Sequence, residues 1–430
     1  MTYQILALII VLILMSILGI LPIGTLMGGP IQATLGLGFI ILAAYIFGMI
    51  LHRIKLPKIT GYMVVGVLAG PFVLDFLTVE VVRNLGLIDQ IALSLIAFSA
   101  GRKLKIKMLK KRLKPILMIT LTRTVICFLA VFLFTVLAGP FLFGFLQGQS
   151  QLVIIVVGIL FGIFALATSP VQTIAIIEET HAEGRTTDTI LGSVILGDLV
   201  IIVLAAISVS LSQAILSDVG IDVVVFRQLV IKLAGSFGIG IVCGAIISFY
   251  LHYVREESVF FVLAAAFICT QIANVLGLDA LLLCLSAGFV IENLFKQGDA
   301  FLEAISKSAI PIYVIFFSIT AASLDLNAIR TSWYIILLLL IVRKISLFAA
   351  VYSGTQLAKE DNSTLRHWGW MAFFNQSGVT LALAVIIGKT FPEFGSHVKA
   401  VALGMVAFTD FYGPALLKLT LWKAGEIRSS

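Results

Sequence analysis

Residues 189–207, TILGSVILGDLVIIVLAAI, run in apolar and small residues on both sides of one carboxylate, Asp198. A bilayer span takes about 20 such residues, so the stretch is long enough to cross a membrane. If its helix begins near Asp188, with Thr186 or Thr187 as the cap, Asp198 lies about ten residues in, or roughly 15 Å along the axis. Half of a hydrocarbon core of roughly 30 Å is the same distance, which puts the carboxylate at the bilayer midplane. An acid there costs on the order of 2.5–3.5 kcal/mol by insertion scales, and it marks an ion or proton pathway unless a basic residue holds it for structural reasons.

The rest of the chain supports a membrane setting. Of 430 residues, 60% are hydrophobic and 12% charged, whereas soluble domains are nearer half apolar and a quarter charged. The fold class is therefore all-α and polytopic, and residues 1–430 read as a single membrane domain with no linker or soluble tail. Tyr3–Ile20 lacks a basic leader and a small-residue cleavage site, so it reads as a retained helix rather than a secretory signal. The four cysteines, Cys127, Cys243, Cys269 and Cys284, all fall inside apolar runs, a placement that suits packing better than a disulfide framework or a metal site. No cofactor is implied.

Spanning segments separated by polar or Gly/Pro-containing loops suggest about fourteen helices, from 2–20, 34–52, 60–77, 87–101, 115–138, 151–178 and 188–213 in the first half to 302–322, 331–357, 367–388 and 396–422 at the end. Alternate loops hold about eighteen Lys and Arg, against roughly four in the opposite set. By the positive-inside rule both termini are cytoplasmic. The net charge of +7 thus reports topology and gives no reason to expect nucleic acid. The densest basic run, Arg102 to Lys114, reads as an ordinary anchor on that rule, with anionic lipid as its other possible contact.

The two halves, 1–213 and 226–423, resemble each other. VLAGPFVLDFL parallels LSAGFVIENLF, and LIAFSAGRKLKI parallels VIFFSITAASLDL. The fifth segment of each half holds an arginine, Arg123 in LTRTV and Arg343 in IVRKI, and the seventh an aspartate, Asp198 in LGDLV and Asp410 in FTDFY. Seven segments per half is an odd number, so the second half enters from the opposite side, giving a 7+7 inverted repeat. The sixth segment of each half is interrupted, by Thr168, Ser169 and Pro170 in ALATSPVQT and by Asn375, Gln376, Ser377 and Gly378 in FFNQSGVT. Proline removes a backbone donor and glycine loosens a helix, so both breaks free polar backbone at membrane depth. Such backbone is tolerated only inside protein or along a wet cavity, and a pair of breaks at equivalent repeat positions points to a binding site.

The chemistry follows from Asp198. Desolvation disfavours its charged form, so it takes a proton. When ionised it needs a cation, and carboxylate, hydroxyl and carbonyl oxygens of the kind offered by Thr168, Ser169 and the unwound backbone suit a desolvated alkali ion. Proton and cation then compete for one anion. Arg343 or Lys344 balances the negative half-helix ends or pairs with a carboxylate, and since adjacent helical residues point to different faces, at most one of them faces the site. Arg123 is a charge-balancing candidate in the first half. Asp410, beside YGP, reads as a structural acid.

LPKITGYMVVGVLAGP, ATSPVQTIAIIEETHAEGRTTDTILGSVILGDLV, FNQSGVTLALAVI and TDFYGPALLK together resemble the cation/proton antiporter superfamily of the sodium/hydrogen exchanger type, over nearly the whole chain. The resemblance implies a core of crossed broken helices moving against a dimerising scaffold, a homodimer in the plasma membrane of a bacterium, and exchange of Na+ or K+ for a proton. It makes Asp198 the ion-binding aspartate, Thr168 and Ser169 the first crossing, Asn375 to Gly378 the second, and Arg343 or Lys344 the basic residue beside them. One position departs from the pattern: Gly197 stands where similar members carry Asp, Asn or Gln, which favours one-for-one exchange and leaves the cation open. Two other readings use the same residues. A small organic anion/sodium symporter would sit on a similar repeat scaffold. An intramembrane aspartyl protease would use Gly197-Asp198 and Pro414-Ala415-Leu416, but Ile195 stands where that motif expects glycine and no Tyr-Asp pair precedes it.

Overall fold

The structure, a computed structural model, describes residues 23–78, 80, 82, 94, 95, 97, 98, 101, 104–216, 223–253, 258–295, 311–322, 326–376, 378–391 and 393–427. The first expected helix, most of the one at 87–101, the start of the one at 302–322 and Ser377 lie outside these. Every regular element among the described residues is helical. They are α1 (Ile23–Arg53), α2 (Lys58–Ala69), α3 (Ile106–Leu142), α4 (Gln151–Leu166), α5 (Pro170–Glu179), α6 (Arg185–Leu216), α7 (Val223–Tyr253), α8 (Ser258–Val275), α9 (Ala280–Asn293), α10 (Pro311–Ala322), α11 (Leu326–Ala358), α12 (Ser363–Trp368), a 3-10 turn at Gly369–Phe373, α13 (Gly378–Thr390) and α14 (Gly395–Lys423). Seven stretches among the described residues are long and apolar enough to cross a membrane, with α4 and α5 together forming one of them.

The chain packs as two compact units, each drawn from both halves of the sequence. One holds residues 1–106 and 232–324, the other 107–231 and 325–430. In the first, glycines let helices close to backbone contact. A side chain at Gly66 would run into the Ser318 carbonyl, and one at Gly61 would meet Gly48 N at 2.8 Å. Small residues at such crossings supply van der Waals packing where lipid leaves no hydrophobic drive for association.

The second unit carries all of the candidate residues. Its outer helix, α3, exposes Leu113, Leu117, Leu121, Leu129, Leu133 and Leu137 at multiples of four residues, a row that drifts about 40° per step round a 3.6-residue helix and so gives it a broad apolar surface. The helix begins at Ile106 and carries Pro115 inside it, where the sequence suggested a start at Pro115. Lys and Arg are good helix formers, so the basic run extends the helix, and the one backbone bond lost at Pro115 does not end it. In contrast, α4 is buried on nearly every side, as a helix apolar all round must be.

The acid-bearing helix α6 starts at Arg185 and is 32 residues long. Its first amides are met from the far end of the chain. Glu426 accepts from Thr186 N at 2.8 Å, Thr187 N at 2.7 Å and Thr187 Oγ1 at 2.8 Å, and its own carbonyl accepts from Glu183 N at 3.0 Å. A carboxylate on orphan N-terminal amides satisfies donors that the helix cannot and complements the positive end of its dipole. Asn362 adds a bond from Nδ2 to Thr186 Oγ1 at 2.9 Å. Replacing Glu426 by Ala is expected to cost about 1–2 kcal/mol, the usual loss for an N-cap, seen as a lower midpoint in a detergent thermal-shift assay. Glu426→Gln, which keeps one acceptor, is expected to lose less than half of that.

Candidate functional site

The sequence ATSPVQ stops one helix and starts another. After Leu166 the backbone turns extended at Ala167, with ψ 132°, and at Ser169, with φ −80° and ψ 111°. Ser169 Oγ then accepts from Gln172 N at 3.2 Å, and Pro170 occupies the first position of α5. Serine as N-cap with proline next is a strong helix start, because proline there gives up a donor that has no intrahelical acceptor in any case. The second break has a different build: α12 tightens into the 3-10 turn Gly369–Phe373, residues 374–376 are irregular, and α13 begins at Gly378.

The two breaks meet through one backbone bond and two side-chain amides. Ser169 N donates to the Asn375 carbonyl at 3.3 Å, Asn375 Nδ2 donates back to the Ser169 carbonyl at 3.5 Å, and Gln376 Nε2 donates to the Phe164 carbonyl at 2.8 Å. Thr409 Oγ1 on α14 reaches Gln376 Oε1 at 3.4 Å. Free amides and carbonyls at the two interruptions are thus partly satisfied by each other.

Arg343, on α11, satisfies most of the rest. It is 0% exposed. Nε donates to the Ala165 carbonyl at 3.0 Å, Nη2 to those of Ala167 at 2.7 Å and Phe373 at 3.1 Å, and Nη1 to that of Phe374 at 2.5 Å. Two carbonyls come from the end of α4 and two from the end of the 3-10 turn. A half-helix end carries about half a negative charge, so two of them sum to about the charge of one guanidinium. Lys344, one residue on, is exposed, with Nζ 5.5 Å from the centre of the Trp370 ring. The structure thus brings Arg343 to the crossing and leaves Lys344 outside it.

Arg123, on α3, is also buried, 4% exposed. It donates to Thr168 Oγ1 and, at 3.4 Å, to the Leu166 carbonyl, and its guanidinium carbon lies 4.0 Å from the centre of the Phe373 ring. Its Nε and Nη1 find no hydrogen-bond partner among the described residues. Nη1 lies 3.7 Å from where a Cβ on Gly197 would stand. The position before the aspartate therefore looks onto this arginine.

Asp198 is 6% exposed. It lies thirteen residues into α6, roughly 20 Å along the axis. That helix packs against α4 and α5 on one side of the crossing and against the 3-10 turn and α13 on the other. Asp410, on α14, is equally buried, with the Gln172 side chain and the Gln376 backbone beside its carboxylate. Of the expected site residues, Thr168, Ser169, Pro170, Asn375, Gln376, Arg123 and Arg343 converge on the crossing, and Gly378 opens α13 at its edge. Sequence reasoning did not single out Gln172, Thr409, Phe373 or Glu426. For Gln172 a signal was present, a polar residue three positions after a capping serine in an apolar run.

A carboxylate buried partway along a long apolar helix, packed on two interrupted helices whose ends share one guanidinium, suits a membrane transporter. The comparisons agree. The family model for the sodium/hydrogen exchanger, transmembrane, matches residues 38–423, and the chain belongs to that family of secondary transporters. A Na+/H+ antiporter of Enterococcus hirae is 21% identical over 386 residues, covering 88% of this chain and 95% of that protein. The Na+/H+-K+ antiporter GerN of Bacillus cereus is 24% identical over 299 residues, covering 68% and 70%. Among solved structures, the sodium proton antiporter MjNhaP1 of Methanocaldococcus jannaschii at pH 8 superposes with a TM-score of 0.62 at 18% identity, covering 92% of this chain and 96% of that one.

Removing the guanidinium tests the crossing itself. Arg343→Met leaves four buried carbonyls without their donor, and breaking a buried charged network of this kind costs about 3–5 kcal/mol. The expected result is a loss of most monodisperse protein in fluorescence-detected size-exclusion chromatography. Arg343→Lys keeps the charge but loses the fork, and is expected to be recovered in intermediate yield.

Proposed function

We propose that the chain exchanges a monovalent cation, Na+ or K+, for a proton at Asp198. In one state the carboxylate is protonated. In the other it is ionised and holds the cation together with oxygens from Thr168, Ser169 and the unwound backbone at the crossing. One anion cannot hold both at once, so exchange follows from competition together with access that alternates between the two sides of the membrane. Support for alternation comes from the division of the chain into two units that each draw on both halves, the pattern that an inverted repeat generates. In this reading the unit of residues 107–231 and 325–430 carries the ion, the other is the scaffold of a homodimer, and both termini are cytoplasmic.

The observation that carries the proposal is the burial of Asp198 on a helix that packs against both interrupted helices. An acid in that place has the carbonyls and hydroxyls of both breaks within the same packed unit. Arg343 gives its donors to the half-helix ends, in keeping with a charge-balancing role at the crossing. Arg123 is a second guanidinium at the first break, bonded to Thr168 in this structure; a cation taking Thr168 Oγ1 as a ligand has to displace that bond.

Proteoliposome flux tests the reading. With Na+, K+ or Li+ gradients imposed and internal pH followed by a trapped dye, the wild-type chain is expected to move protons against the cation. Asp198→Asn and Asp198→Ala are expected to retain less than a tenth of that flux. Unaltered flux in both variants removes Asp198 from the mechanism, and the absence of any pH change with all three cations argues against antiport. Potassium is included because a relative is a Na+/H+-K+ antiporter. Thr168→Val is expected to raise the cation concentration needed for half-maximal flux severalfold, with little change in maximal rate.

A further inference from the structure

Three buried acceptor oxygens near the crossing have no hydrogen-bond donor among the described residues: Asp410 Oδ1, Gln172 Oε1 and Asn375 Oδ1. Their residues are 6%, 4% and 0% exposed. They come from three separate elements, α14, the first turn of α5 and the second break. The Gln172 side-chain amide and the Gln376 backbone N–H face the Asp410 carboxylate as donors, and Oδ1 is the oxygen left without one. Gly413 lies three residues from Asp410 and so on the same face of α14. It presses on Asn375 closely enough that a Cβ there would meet Asn375 Cα at 2.9 Å. Asp410 thus has Gln172 beside it and Asn375 packed on its own helix one turn away.

Buried polar groups without partners call for an explanation, commonly an ion or a water. Four of the five N–H donors of Arg343 are given to the carbonyls of Ala165, Ala167, Phe373 and Phe374. Its charge is matched by two half-helix ends. One carboxylate and two amide carbonyls are hard oxygen donors, the ligand class that takes alkali and alkaline-earth cations, and a single carboxylate matches a single positive charge. We propose that Asp410, Gln172 and Asn375 hold a second monovalent cation, at a site separate from Asp198. Only the choice of alkali ions as probes rests on the exchange reading.

Equilibrium binding of radioactive Na+ and Rb+ to the purified full-length chain in detergent tests this without transport. Wild-type protein is expected to hold two ions per chain at saturation, Asp410→Asn one and Asp198→Asn one, each variant first shown to be monodisperse. Gln172→Leu is expected to weaken one of the two ions at least tenfold, and it carries the test if Asp410→Asn does not fold. One ion per wild-type chain, or a binding curve unchanged by Asp410→Asn or by Gln172→Leu, means that water meets these oxygens and overturns the proposal. If Asp198→Asn keeps both ions while Asp410→Asn loses one, the second site stands and the reading of Asp198 fails.

Discussion

Two helices that stop in the middle of an apolar protein leave carbonyls pointing at one another, and Arg343 makes that arrangement possible. One planar side chain, fully enclosed, spends its donors on Ala165, Ala167, Phe373 and Phe374. Backbone that is neither helical nor solvated is ordinarily forbidden in a membrane, because every unpaired group costs several kcal/mol. A lysine, a point charge on a flexible stem, cannot reach four carbonyls in two directions. The guanidinium therefore fixes both the electrostatics of the crossing and its geometry, since moving either break relative to the other lengthens bonds on both.

The opposite ends of the same interruptions are served by different means. Ser169 caps α5, Asn375 and Ser169 exchange backbone and side-chain bonds, and Asp410 stands near the amide of Gln376. A cation thus serves the carbonyl ends and an anion stands near an amide end, as the direction of the helix dipole requires.

Much of this was legible in the residues. Apolar length and loop charge give a polytopic helical chain, and the two breaks were placed by proline, glycine and a cluster of small polar residues. The detail of the first break was readable too, because Ser169 followed by Pro170 specifies a new helix start as well as the end of the old one. The choice between Arg343 and Lys344 was not, since α11 is apolar on most sides and a 100° step gives no sign of which neighbour faces inward. Nor was Glu426 as the partner of Thr186 and Thr187, a contact spanning about 240 positions with no periodic signal. Gly197 was visible as a departure, but that its missing side chain faces Arg123 depends on packing between α3 and α6.

The clasp at Glu426, three residues past the end of α14, holds the start of α6 by three bonds and Glu183, just before that helix, by a fourth. The two helices that bear intramembrane acids are thereby yoked at one end, and neither can slide along its axis without pulling on the other. A load on the start of α6 is therefore passed to the C-terminal end of α14, and the helices that carry Asp198 and Asp410 are held in register at that end.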